Sequence, residues 1–183
     1  MKIGVIGAGR LGLCFALLLE KAGYDVIVSD CRSNYVSSLN VRNLNTSEPL
    51  VADLLAVASN FEATTNNIEV IKQCDVIYTF VATPSSEDGS YDVSAVWKVI
   101  EDIQSCEFSL EGKSFVVGCT TNPGDCEMFQ TQLNPYGIDV YYNPEFIAQG
   151  SIIKDLEHAD MVLIGGSGKH LEDIIDIYNG IQV

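Results

Sequence analysis

The chain has 183 residues, 25 acidic and 10 basic for a formal net charge of −15, with 47% hydrophobic and 19% charged content. That length suits one domain, or one domain plus a piece of a second, with room for an ordinary core. The charge repels phosphate backbones and anionic lipid headgroups, so neither nucleic acid nor a membrane surface is an expected partner.

The first predicted element is the strand "KIGVIG" (2–7), followed by "LGLCFALLLEKAG" (11–23) with helical period. Arg10 and the glycines break up the apolar stretch, and no small-residue cleavage site follows, so a secretory leader is not expected. No run approaches the length that spans a bilayer, and a cytoplasmic location is the expectation. Next come the strand "DVIVSD" (25–30), a turn-rich stretch at 43–49 and the helix "LVADLLAVAS" (50–59). The strand "DVIYTFVA" (75–82) leads into a second turn-rich stretch at 84–90, then the helix "VSAVWKVIEDI" (93–103). Three further strands, "SFVVGCT" (114–120), "IDVYYN" (138–143) and "DMVLIGG" (160–166), precede the helix "HLEDIIDIYNG" (170–180). The two turn-rich stretches are the expected flexible pieces. Strands that are apolar throughout, alternating with helices, predict a doubly wound, mainly parallel α/β sheet covered on both faces.

Cysteines 14, 31, 74, 106, 119 and 126 form no Cys-x-x-Cys pair, and His158 and His170 lie far from them in sequence. This argues against zinc and against a disulfide framework, leaving six free thiols, mostly buried.

"GAGRLG" places Gly7, Gly9 and Gly12 in G-x-G-x-x-G spacing, directly after a strand and at the opening of a helix. Gly7 makes the tight turn, Gly9 lets the backbone approach a pyrophosphate, and Gly12 permits close helix–sheet packing. The pyrophosphate is expected along Gly9, Arg10, Leu11 and Gly12, where free N–H groups offer the local positive field an acidic protein otherwise lacks. Asp30, ending the second strand, can accept hydrogen bonds from the adenosine ribose and would repel a 2′-phosphate, which favours NAD over NADP. Arg32 could pair with a 2′-phosphate; lying against the adenine face is the preferred reading because Asp30 is in place. Together these features predict a Rossmann-type dinucleotide-binding domain.

Several stretches in order resemble the NAD-binding domain of the UDP-glucose/GDP-mannose dehydrogenase family, from Met1 to about Tyr178. "MKIGVIGAGRLGL" is similar to the family's opening, and "SEPL" (47–50) to its Glu-Pro-Gly-Leu turn without the glycine. "VATPSSEDGSYDVSAV" (81–96) resembles its Pro-Thr-Pro segment, "GCTTNPGDCE" (118–127) its Ser-Thr-Val-Pro-x-Gly-Thr segment, and "YNPEFIAQGS" (142–151) its Asn-Pro-Glu-Phe-Leu-x-Glu-Gly-Ser segment. The resemblance implies oxidation of a sugar nucleotide's primary alcohol to a carboxylate, with two NAD and a thioester between the hydride transfers. It implies a UDP- or GDP-linked substrate, and homo-oligomers of a longer protein. Ala82 and Thr83 would contact the dinucleotide. Thr120 and Glu145 would sit near the nicotinamide and hold the hydrolytic water.

By this resemblance residues 1–179 form the NAD-binding domain and 180–183 begin a linker. The family's nucleophilic cysteine and catalytic lysine would lie beyond Val183, so the chain alone is expected to be inactive. The departures are Arg10 in the fingerprint, Cys119 before Thr120, Asp125 for a small hydroxyl residue, and Ala148 and Gln149 where a basic residue and a glutamate are usual. Two alternatives stand beside this reading: a stand-alone, non-catalytic dinucleotide-binding module, and half of a hydroxyacyl-CoA or hydroxy-acid dehydrogenase. Independently of family, Glu145 follows a predicted strand, where a carboxylate can orient water or take a proton. A solvated loop acid is the plainer alternative, as backbone bonding is for Thr120.

Overall fold

A computed structural model describes residues 1–182. In it, β1 (Lys2–Ile6), β2 (Asp25–Ser29), β3 (Phe61–Thr64), β4 (Val76–Thr79), β5 (Ser114–Val117) and β6 (Asp139–Tyr142) form one sheet in the order β3-β2-β1-β4-β5-β6. Every neighbouring pair is parallel. Strand order therefore reverses between β1 and β4, and all strands end at one edge.

The period-two alternation of side chains divides the core between two faces. Ile3, Val5, Val26, Val28, Val76, Tyr78 and Val116 pack on one, while Ile6, Ile27, Ile77, Phe115 and Val117 pack on the other. The first face is covered by α1 (Arg10–Lys21), α2 (Ser33–Asn40), α3 (Val51–Val57), α7 (Ile152–Glu157) and α8 (Leu171–Ile181). The second is covered by α4 (Asn67–Gln73), α5 (Ser94–Gln104) and α6 (Asp125–Leu133). Helix α1 is buried without interruption from Gly12 to Leu19 because it lies between the sheet and the helices α3, α7 and α8. That enclosure explains why its sequence is apolar nearly all round.

Side-chain amides complete both edges of the sheet. At β3, Asn40 Nδ2 donates to the Ala63 carbonyl (2.8 Å), and Ala63 N donates to Asn40 Oδ1 (2.9 Å). At β6, Gln130 Nε2 donates to the Ile138 carbonyl (2.9 Å), and Val140 N donates to Gln130 Oε1 (2.7 Å). Each amide presents a donor and an acceptor in the way a neighbouring strand would.

Two expectations need correction, and one strand escapes the sequence reading. The segment at 160–166 does not form a strand; its backbone pairs with the sheet through the antiparallel bridge between Gly165 and Tyr142. Gln130 already holds part of the β6 edge, and Gly166, at φ +129°, turns the chain away immediately afterwards. The strand at 61–64 is not evident in the sequence, since "FEAT" is short and half polar, but it pairs in register with β2. The stretch 43–49 is anchored rather than loose. Glu48 is buried and accepts from the Gly150 N–H (3.0 Å) and the Ile152 N–H (2.9 Å). At the C-terminal side α8 continues to Ile181, two residues into the expected linker, and Val183 lies outside the described residues.

Candidate functional site

The segments that follow β1, β2, β4, β5 and β6 gather at the carboxyl edge of the sheet, beside the reversal between β1 and β4. The glycine loop is held to β2, with Gly7 N and Ala8 N both donating to the Ser29 carbonyl at 2.9 and 3.0 Å. Gly7 sits at φ +94°, and a Cβ there would fall 2.8 Å from the Phe80 carbonyl group. At Gly12 a Cβ would lie 2.1 Å from the Gly7 oxygen, so this position admits no side chain. Gly9 differs, because its Cβ would point into open space. The first turn of α1 carries no acidic residue and no side-chain cap, leaving its N–H groups free for an anion. An open glycine face against a free helix N-terminus fits a pyrophosphate.

Asp30 and Arg32 are brought together. Arg32 Nε donates to Asp30 Oδ1 and Nη2 to Oδ2, both at 2.8 Å, and the Arg32 N–H adds a bond of 3.0 Å to Oδ1. Burial acts to raise the Asp30 carboxyl, but the Arg32 hydrogen bonds and charge hold it below its ordinary value. The guanidinium also lies 4.1 Å over the Tyr35 ring. A cleft of about 140 Å³ runs alongside, lined by Gly9, Arg10, Arg32, Tyr35 and Glu48 among others. A larger cavity of about 630 Å³ lies between the 121–124 loop, α6 and Gly165, but it contains none of the predicted site residues. The smaller cleft is the one that joins the fingerprint to Arg32 beside Asp30.

Arg10 and Leu11 open α1, with Arg10 exposed. Arg10 Nη1 donates to Gln149 Oε1 (2.7 Å), so two of the departures noted in the sequence are partners across the crevice. Ala82 is exposed and Thr83 half-buried in the segment after β4. Thr120 is exposed just beyond β5. Asp125 is buried and ties down its own loop, accepting from Asn122 N (2.7 Å) and Asn122 Nδ2 (2.9 Å). Cys119 and Cys126 have raised pKa values through burial, Cys119 up to about 12, so neither is a ready thiolate. Of the six cysteines, Cys31 alone is exposed.

Glu145 is half-buried and is no solvated loop acid. Burial pushes its carboxyl from 4.5 up to about 7, with a hydrogen bond from Tyr178 working the other way. Tyr178 comes from α8, and its hydroxyl oxygen also lies 2.5 Å from Asn143 Oδ1. Sequence reasoning missed Tyr178, which reads as one more core position of an amphipathic helix. Asn143 was visible only as part of the quoted Asn-Pro-Glu. Gly118 was also missed; a Cβ there would lie 2.3 Å from the Phe80 ring.

The raised Glu145 pKa has a stability consequence. Its contribution is fully present below the unfolded value of 4.5 and is lost as pH rises through about 7. Such a shift is worth about 3 kcal/mol. Glu145→Gln is therefore expected to match the wild-type chain near about pH 4.5 and exceed it by about 2–3 kcal/mol above about pH 8. Urea unfolding at both pH values checks this; equal stability at alkaline pH would refute it.

The profile described as the UDP-glucose/GDP-mannose dehydrogenase family, NAD binding domain, matches residues 1–182. UDP-glucose 6-dehydrogenase of Rhizobium meliloti is 32% identical over 195 aligned positions, covering 100% of this chain and 44% of the relative. The enzyme of the same name from Rickettsia bellii is 29% identical, covering 96% of this chain and 41% of the relative. Among solved structures, a ternary complex of GDP-mannose dehydrogenase from Pseudomonas aeruginosa superposes with a TM-score of 0.86 at 26% identity, covering 98% of this chain and 44% of that one. The chain thus spans less than half the length of these relatives.

Proposed function

The chain belongs to the UDP-glucose/GDP-mannose dehydrogenase family through its NAD-binding domain, and from that premise we propose that it serves the oxidation of a nucleotide sugar's primary alcohol to a carboxylate. The observation that carries this reading is the meeting, at one sheet edge, of an open glycine loop and a half-buried Glu145 poised near neutrality. The substrate is a UDP- or GDP-linked sugar, and the setting is the cytoplasm and polysaccharide biosynthesis.

NAD is the cofactor, and when bound it supplies the hydride acceptor. Gly9, Arg10, Leu11 and Gly12 hold its pyrophosphate through backbone N–H groups. Asp30 still has free lone pairs for ribose hydroxyls, while Arg32 keeps its exposed face for the adenine. Two of the five Arg32 donors are spent on Asp30, and the Asp30 carboxylate repels a 2′-phosphate. Ala82 and Thr83 line the dinucleotide path. Thr120 and Glu145 stand at the nicotinamide end, where Glu145 orients a water and carries its proton. The unit extends through α8, because Tyr178 reaches Glu145 from that helix.

Substrate positioning and a nucleophilic thiol supply much of the barrier reduction in such chemistry, and no cysteine here is suited to the second task. Calorimetry on the 183-residue chain should show NAD binding that Asp30→Ala weakens by about tenfold, the equivalent of ~1.4 kcal/mol, with NADP weaker than NAD. The same chain should give no sustained NADH formation with UDP-glucose or GDP-mannose. Tight NADP binding would overturn the Asp30 assignment. Sustained turnover that disappears in Glu145→Gln would show that the domain is complete in itself and overturn the expected inactivity.

A further inference from the structure

Tyr178 carries one hydroxyl proton but has two acceptors within hydrogen-bond distance, Asn143 Oδ1 and Glu145 Oε1. The Asn143 amide cannot turn to relieve this conflict. Its Nδ2 donates to the Leu163 carbonyl (2.9 Å), its backbone N–H donates to the Val117 carbonyl (2.9 Å), and the residue is fully buried. Oδ1 therefore faces Tyr178 as an acceptor only. The titratable groups facing Glu145 are Tyr178 from α8 and Tyr78 from β4. The Tyr78 hydroxyl is itself buried without a hydrogen-bond partner.

Two arrangements place one proton in the contact between Tyr178 and Glu145. In one, Glu145 is protonated and donates to the Tyr178 oxygen, while Tyr178 donates to Asn143. In the other, Glu145 is a carboxylate and receives the Tyr178 proton, leaving Asn143 Oδ1 without a donor. We propose that Tyr178 and Asn143 are positioning residues that couple the protonation of Glu145 to the direction of a single hydroxyl. When Glu145 gives up its proton, the O–H of Tyr178 turns from Asn143 towards the carboxylate; when Glu145 regains one, it turns back. No bond of tyrosine breaks, and one proton enters or leaves, always at Glu145. The buried Asn143 oxygen favours the acid form, because an unpaired buried acceptor is costly. The Tyr178 donor favours the carboxylate. Their opposition suits a group that must alternate between giving and taking a proton, and the raised Glu145 pKa agrees with it. This inference rests on the reading above only for the use made of Glu145.

The two partners have opposite signatures. Carbon-13 NMR of the ligand-free chain can follow the Glu145 carboxyl carbon and the Tyr178 Cζ over about pH 4 to 10, with the Glu145 signal assigned by its loss in Glu145→Gln. In the wild type the two nuclei should titrate together, with a midpoint of about 7. Tyr178→Phe removes the donor to the carboxylate and should raise the midpoint by about one unit. Asn143→Leu removes the competing acceptor, commits the tyrosine proton to Glu145 and should lower it by about one unit. Shifts in the same direction would overturn the proposal, as would a Tyr178 signal that stays flat while Glu145 titrates. Should Asn143→Leu fail to fold, the wild-type Tyr178 trace and Tyr178→Phe still decide. Neither NAD nor sugar enters the measurement, so a wrong proton coupling and a wrong function give separate failures.

Discussion

Gly12→Ala is expected to weaken NAD binding by about 100-fold, the equivalent of ~2.7 kcal/mol, and to cost about 1–3 kcal/mol in stability. The new methyl would sit 2.1 Å from the Gly7 oxygen, 3.2 Å from the Gly7 carbonyl carbon and 3.3 Å from Phe80 Cβ. The nearest of these are backbone atoms, so no rotamer change relieves the clash. The start of α1 must move away from the loop, carrying off the N–H groups that face the anion. Gly9→Ala provides the contrast. Its methyl meets nothing in the free protein, so the fold should stay as stable as wild type while the anion site is obstructed. Calorimetric titration with thermal melting of both variants tests the pair. Near-normal NAD affinity in Gly12→Ala would show that the loop tolerates what its geometry forbids.

Phe15→Ala is expected to cost about 3–5 kcal/mol in urea unfolding, a large share of an ordinary domain's stability of about 5–15 kcal/mol. Phe15 is fully buried, with its ring centroid 4.7 Å from Tyr78, 5.3 Å from Phe80 and 5.9 Å from Tyr178. This cluster links α1, β4, the segment after β4, and α8, so the cavity cannot close without moving several elements. It also supports Tyr178, the partner of Glu145. A loss below about 1 kcal/mol would mean that the cluster repacks around the gap.

The sequence was most legible where periodicity and turn chemistry agreed. "KIGVIGAGRLG" showed strand, glycine turn and helix opening in one stretch, and the structure joins them with Asp30 and Arg32 at one edge. It was least legible where tertiary partners decide. "FEAT" becomes a strand because β2 offers it an edge, whereas "MVLIGG" is more apolar and yet forms only a bridge beside a partly occupied edge. Hydropathy reports what a segment can bury, but vacancy in the sheet decides where it pairs. The same holds for side chains. Asp125, in sequence only a departure from a small hydroxyl residue, holds its own loop, and Glu48, in a turn-rich stretch, is a buried tie to Gly150 and Ile152. Tyr178 was unreadable as a site residue, because nothing in a helical pattern says what its hydroxyl meets.

The amides at the margins of the sheet have a consequence for behaviour in crowded solution. An unsatisfied strand edge is a template on which another chain can polymerise, and proteins commonly guard it with charge, proline or a bulge. Here two carboxamides, Asn40 and Gln130, occupy the outward-facing hydrogen-bonding groups at opposite margins, and Gly165 closes the end of β6. Such a plug needs only one residue from a flanking segment. It is also neutral, so an already strongly acidic chain gains no further self-repulsion. Ribbon extension is thereby disfavoured at both margins of the sheet.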